Sequence, residues 1–380
     1  MIKSIYQTLS FTLFIFLLFP FSSAHNKTKQ GSPSSNSQDT YKGCFPKVFA
    51  FGDSDTDPGN ARFLVGRHIQ GGLNFSVSTQ VQSRLVVDFL CQALSIPSLP
   101  PYKNPSADFK SGVNFAISGS TCLSGDYFGP KNLSGLFWNG VPMSFQTQID
   151  WFNKYLNAGK GKESKGSHEA DIGNALFWIG QIGVSDYTRA IGSSIPLHSL
   201  AESSVRHVSE LLTTLVANGA KYVVVQGLPP VGCFPLYMSS TLRHNLDHTG
   251  CVATVNAAIM AHNQILQWAL EKFRKMHPHC SVLYADYWNA YLTIAMNPNK
   301  YHMEEPFKAC CGSGEGQFNF NKNKLCGSSG TSVCKDPHKY INWDGVHLTE
   351  AMHKHLTDLF LHQGFCYPSF DELVKRKKSM

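Results

Sequence analysis

The feature that most restricts what this chain can fold into is an alternation of two periods. Short runs of apolar, β-branched and aromatic residues recur at Lys47–Phe51 (KVFAF), Gly112–Ala116, Ala175–Ile179 (ALFWI), Lys221–Gln226 (KYVVVQ) and Ser281–Ala285 (SVLYA). Between and after them lie longer segments with helical apolar spacing: Arg84–Ser95, Phe145–Leu156, Leu197–Asn218, Val252–Met276 and Thr349–Gln363. Strands that are apolar along their whole length are covered on both faces, and strands separated by helices pair in parallel. The chain is therefore expected to be α/β: a three-layer α/β/α domain around a central parallel sheet. Ligands of such sheets bind beyond the carboxyl ends of the strands. That rule draws attention to Gly52–Asn60, Ser118-Gly119 and Gly183–Tyr187.

The N-terminus sets the expected compartment. Lys3 precedes an apolar run from Leu9 to Phe21, and Ser22-Ser23-Ala24 follows with small residues where a signal peptidase needs them. Residues 1–24 are read as a secretory signal peptide and 25–43, rich in Ser, Lys, Asn and Gln, as a flexible lead-in. A single domain is expected over 44–370, with 371–380 as a basic tail. The apolar run is short for a membrane span, and no later window approaches one. The expected protein is secreted and extracellular. Asn26, Asn74 and Asn132 each begin an Asn-x-Ser/Thr triplet and become candidate glycosylation sites in that compartment.

Charge argues against nucleic acid as a partner. Lys and Arg number 33 against 26 acidic residues, and the only dense basic run is Lys375-Arg376-Lys377-Lys378. A nucleic-acid site needs a broader basic face, so this run is read as a solvated tail. The 11 cysteines show no paired C-x2-C steps, which disfavours a metal site, and an oxidising compartment favours disulfides with one thiol left over. Cys233 and Cys251 flank the loop after the strongest strand and are expected to pair. Cys310, Cys311, Cys326 and Cys334 are expected to hold a further bridge or two, the vicinal pair bonding elsewhere rather than to each other.

Two short segments can carry nucleophilic chemistry. Gly52-Asp53-Ser54 follows the first strand, where a serine is exposed in a tight turn and its amide joins those at a helix start. Taken alone it is equally a turn with a helix cap. Asp344-Gly345-Val346-His347 precedes the last helix. An Asp three residues before a His can hold one ring nitrogen while the other faces outward, although the pattern also suits a cap. No G-x-S-x-G elbow occurs, so a triad must be assembled from Ser54, His347 and Asp344.

With these residues in view, FGDS (51–54), GVNFAISGS (112–120), IGVSDY (182–187) and WDGVH (343–347) resemble, in order and spacing, the blocks of the plant GDSL esterase/lipase family, a branch of the SGNH hydrolases. GLPPVGCFP (227–235), YADYW (284–288) and FKACCGSGE (307–315) are similar to it as well, and the likeness runs from about Lys47 to Gln363. The resemblance implies a flavodoxin-like fold and hydrolysis of carboxylic esters; lipid, acetylated-sugar and small specialised-metabolite esters all stay open as substrates, and no cofactor is expected. It implies Ser54 as nucleophile, Asp344 and His347 as orienting acid and base, and the Ser54 and Gly119 amides as oxyanion donors.

Three departures from the family pattern bear on activity. Ser185 stands where the family has an Asn as third oxyanion donor. Asp55 replaces the Leu of GDSL, and Pro58 interrupts the stretch that follows. Ser78–Arg84 (STQVQSR) replaces a familiar loop beside the nucleophile. An acyltransferase using the same triad, or a weakened binding protein on the same scaffold, are the alternatives to an esterase. Phe128, Phe137, Trp138 and Trp151 are candidates to line an acyl pocket, though such a stripe also suits a core.

Overall fold

Side chains alternate strictly along the central strands, and this alternation builds two cores. The computed structural model describes residues 40–64, 83–128, 143–159, 171–190, 195–239 and 245–379. Strands β1 (Val48–Phe51), β2 (Gly112–Asn114), β3 (Leu176–Ile179), β4 (Tyr222–Gln226), β5 (Ser281–Ala285) and β6 (Cys366–Tyr367) form one sheet in the order 6-5-4-3-1-2. Val48, Ala50, Leu176, Trp178, Tyr222, Val224 and Leu283 face one core, while Phe49, Phe51, Phe177, Ile179, Val223, Val225 and Val282 face the other. Both faces are therefore apolar and both are covered, as continuous apolar strands require.

The helices supply the two outer layers. Helix α1 (Asn60–Leu64) follows the first strand. Leu90 and Leu94 of α2 (Val86–Leu94), Tyr291 of α7 (Tyr287–Ala295), and Leu356 and Phe360 of α8 (Glu350–His362) pack on the first face. Phe152 of α3 (Phe145–Gly159), Leu211 and Leu215 of α5 (Leu197–Ala217), and Leu266 and Phe273 of α6 (Ala253–Met276) pack on the second. All pairings are parallel except that of β6 with β5. The expected α/β/α fold is present, with an antiparallel edge strand that its two-residue length hid from the sequence. Strand order reverses between β1 and β3, and the crevice at such a switch point is the usual ligand site.

Several expectations change in detail. Helix α7, capped by the Asp286 side chain on the Asn289 N–H at 3.1 Å, was not legible in its mixed aromatic pattern. The lead-in does not stay outside the core as far as residue 43. Tyr41 is buried, its hydroxyl lies 2.8 Å from both Leu361 O and Asp371 Oδ1 and shares its one proton between them, and its ring stacks on His362. The basic run is not a free tail: it forms the last turn of α9 (Phe370–Lys378), whose Leu373 and Val374 are buried. Trp151 lies in the core, tilted against Tyr102 at 5.4 Å.

The cysteines also depart from expectation. Disulfides join Cys233 to Cys251, Cys310 to Cys334 and Cys311 to Cys326. Five thiols stay free rather than one: Cys44, Cys91, Cys122, Cys280 and Cys366. All five are buried, where a thiol packs as a small apolar group. The signal-peptide segment, Asn26, Asn74, Asn132, most of Ser78–Arg84, Phe137, Trp138 and the Phe128 side chain lie outside what the structure describes.

Candidate active site

The turn after β1 places Ser54. The amides of Thr56 and Asp57 donate to Asp53 O at 3.1 and 3.0 Å, winding one helical turn around the serine. Asp53, Asp55, Thr56 and Asp57 are buried, and Ser54 alone of this set is partly open. So tight a turn needs room beside it. A Cβ on Gly180, at the end of β3, would lie 2.1 Å from Thr56 Oγ1, so a residue without one is required there.

Two buried side chains fix this turn against the segment after β2. Gln148 of α3 accepts the Gly52 N–H at 3.0 Å and donates to Gly52 O at 2.7 Å and Ser120 Oγ at 3.0 Å. The Asp57 carboxylate accepts the amides of Gly59, Asn60, Ala61 and Ser118, the last at 2.8 Å. Its pKa is raised by burial, against which those amides act. Ile117 N donates to Gly52 O at 3.1 Å, and the chain then turns at Ser118-Gly119. Gly119 has φ of 75°, a backbone conformation that favours glycine.

The third segment begins helix α4 (Val184–Ala190). Asp186 accepts the amides of Cys122 and Leu123 at 2.8 and 3.0 Å, tying this helix to the segment that carries Gly119. Burial pushes its pKa up to about 7, opposed by those amides and by the Arg189 guanidinium. Ser185, next to Asp186 in the first turn, is buried.

The fourth segment is a small self-contained turn. Asp344 Oδ1 accepts the amides of Val346 and His347 at 3.0 and 2.8 Å, and its Oδ2 lies 2.8 Å from His347 Nδ1. Nδ1 therefore carries the proton given to the carboxylate, and Nε2 is the nitrogen able to accept one. Asp344 is 2% exposed and His347 12%, so the acid is shielded and the base reachable. Burial alone would lower the imidazole pKa. The charges of Asp344, then Asp55 and Asp53, more than offset it and push it up to about 9. Asp53 and Asp55 are the residues on either side of Ser54 in the chain. Burial would raise the Asp344 pKa, but His347 and the two amides hold it below the ordinary carboxylate value.

Ser54, Gly119 and Ser185 lie in the segments that follow β1, β2 and β3, and the Leu236 amide, in the segment that follows β4, donates to Gly345 O at 3.1 Å, between Asp344 and His347. The sequence reading missed Gln148, Asp57 and Gln181, which follows β3 and donates to Asp55 Oδ2 at 2.7 Å. Gln148 carried a signal: it is polar at a core-facing position of α3, between Phe145 and Phe152 at helical spacing.

A doubly wound sheet with a serine turn at its switch point, and a hydrogen-bonded Asp–His pair before α8, is the arrangement expected from the sequence blocks. Sequence comparison makes this specific. Residues 48–360 match the GDSL-like Lipase/Acylhydrolase family, and the chain belongs to that family. A GDSL esterase/lipase of Arabidopsis thaliana is 41% identical over 350 residues, covering 88% of this chain and 90% of that protein. Acetylajmalan esterase 2 of Rauvolfia serpentina is 31% identical over 333 residues, 83% of this chain and 90% of that one. Among solved structures, a phospholipase A1 from Streptomyces albidoflavus NA297 aligns at 14% identity with a TM-score of 0.29, over 73% of this chain and 91% of that one. The protein is a carboxylic ester hydrolase of the GDSL esterase/lipase type. Among the described residues no helix is long and apolar enough to cross a membrane.

Proposed function

We propose that this chain is a secreted serine esterase acting on short-chain acyl esters of small specialised metabolites through an acyl-enzyme on Ser54. His347 Nε2 takes the Ser54 proton as Oγ attacks the ester carbonyl. Asp344 holds the imidazole and stabilises the imidazolium. The amides of Ser54 and Gly119 receive the oxyanion, with the Ser185 hydroxyl as a third and weaker donor. His347 then returns the proton to the leaving alcohol, and water repeats the sequence to release the acid. The observation that carries this reading is the 2.8 Å Asp344–His347 contact, with a buried acid and a reachable base. The short acyl group is supported by the name of the Rauvolfia relative, an acetyl-ester hydrolase. The leader-like residues 1–24 and the three disulfides support secretion.

The test is a panel of p-nitrophenyl esters of rising chain length, run on wild type and Ser54→Ala with an added alcohol acceptor in parallel. Turnover highest on acetate, absent in Ser54→Ala and yielding free acid is the expected result. Equal activity in the two proteins refutes the role of Ser54, and ester products with the acceptor identify an acyltransferase instead.

A further inference from the structure

Asp55 is the buried carboxylate that the steps above leave unused. It follows Ser54 in the same turn and is 6% exposed. Its Oδ2 accepts from Gln181 Nε2 at 2.7 Å and from the Tyr287 hydroxyl at 3.2 Å. Its own amide donates to Asp53 Oδ1 at 3.2 Å. Gln181 leads into the segment of Ser185, and Tyr287 opens α7, so three separate parts of the chain converge on one carboxylate oxygen. An apolar side chain would fill this space without the cost of burying a charge. Both donors are neutral, so they steady the carboxylate without cancelling its charge, and its field reaches the neighbouring groups.

Those neighbours are the groups of the catalytic reading. From the same turn, Asp53 is held well above its ordinary pKa by burial and then by the Asp55 charge. From the loop before α8, His347 feels Asp344, Asp55 and Asp53. From α8, His353 is held neutral by burial, which outweighs the pull of Asp55, and its Nδ1 has no hydrogen-bond partner among the described residues. From α7, the Tyr287 hydroxyl stays protonated because burial and Asp55 raise its pKa. Asp88 and Glu350 also act on His353, the first accepting the Leu85 N–H at 2.9 Å and the second paired with Arg84 at 2.8 Å.

We propose that Asp55 is a positioning residue for ester hydrolysis: fixed by Gln181 and Tyr287 beside Ser54, it gives the Asp344–His347 pair a second buried anion that stabilises the imidazolium. The inference rests on the roles of Ser54 and His347 given above. As Oγ bonds to the carbonyl carbon, its proton passes to Nε2, and the cation so formed is met by two anions rather than one. The same charge strengthens His347 as a base, so its protonation is felt at a higher pH.

The experiment is the pH dependence of kcat/KM on p-nitrophenyl acetate for wild type, Asp55→Asn and Asp55→Glu, with Ser54→Ala as control and thermal unfolding measured for each. Asp55→Asn is expected to move the inflection down by about one pH unit, while Asp55→Glu, which keeps the charge, leaves it near wild type. An unmoved inflection in a folded Asp55→Asn protein overturns the proposal, as does an equal shift in both variants. Where Asp55→Asn does not fold, Asp55→Leu/Gln181→Met removes the charge and one unpaired donor together and is read in the same way. Activity surviving in Ser54→Ala brings down the underlying reading, whereas an inactive Ser54→Ala with an unmoved Asp55→Asn inflection brings down this inference alone.

Discussion

Replacing Gln148 with Leu tests whether the nucleophile turn is held from a distance. The side chain is fully buried and makes three hydrogen bonds, two to Gly52 and one to Ser120. In Gln148→Leu the Gly52 carbonyl keeps the Ile117 N–H at 3.1 Å, but the Gly52 N–H loses its side-chain acceptor. A buried donor stripped of its partner costs about 1–3 kcal/mol, and the other bonds add about 1 kcal/mol. The net loss is therefore about 2–4 kcal/mol, seen in a chain of this length as a fall in Tm of about 3–6 °C. Because Gly52 lies two residues before Ser54, kcat on p-nitrophenyl acetate should fall by about tenfold to a hundredfold with little change in KM. Gln148→Glu separates the contributions, since it keeps an acceptor for the Gly52 N–H and loses the donor to Gly52 O and Ser120. Wild-type Tm and kcat in Gln148→Leu would refute the idea that this residue holds the turn.

The remaining predictions concern the base, a staple and the oxyanion. The general base must be neutral, so kcat/KM should climb with pH through about 9, the value to which His347 is raised from 6.5; an inflection near 6.5 contradicts the double-anion environment. A raised imidazole pKa stabilises the fold fully below 6.5 and loses that contribution as pH rises to about 9, so the Tm advantage of wild type over His347→Gln should shrink across that window. Breaking the Cys233–Cys251 bridge by a double Ala substitution should cost about 2–4 kcal/mol by denaturant titration, since it frees a loop of 18 residues; an unchanged midpoint rules that out. Ser185→Asn should raise kcat by about tenfold on aryl acetates and leave KM in place, because the charge it meets exists only in the transition state. Unchanged kcat on every ester tested means that position 185 does not face the oxyanion.

The sheet was legible because its signals are local. Runs such as Tyr222–Gln226 and Ser281–Ala285 are apolar at every position, and that continuity requires cover on both faces whatever the rest of the chain does. Asp344 and His347 were legible for a similar reason, their contact spanning three residues of one turn. What supports Ser54 was not. Gln148 reaches Gly52 across 96 residues, Gln181 reaches Asp55 across 126, and Tyr287 reaches it across 232. No periodicity announces such pairs, because each partner also satisfies its own local pattern. The edge strand Cys366–Tyr367 was hidden by its length, and α9 by a charge run that disguised the buried Leu373 and Val374.

The same geometry separates scaffold from chemistry in the third segment. Asp186, not Ser185, ties α4 to Cys122 and Leu123, so the helix start keeps its place whichever side chain stands at 185. On the role proposed for Ser185, a change from the family's Asn to Ser therefore alters what is offered to the substrate without loosening the turn that offers it. Asp55 differs: its carboxylate is bound to Gln181 and Tyr287, so a change there reaches both the approach to Ser185 and the start of α7. Variation at 185 is expected to act on rate or substrate choice with little effect on Tm, and variation at 55 on rate, pH dependence and stability together. Measuring kcat and Tm side by side for Ser185→Asn and Asp55→Asn distinguishes the two: a large Tm change at 185, or none at 55, contradicts this division.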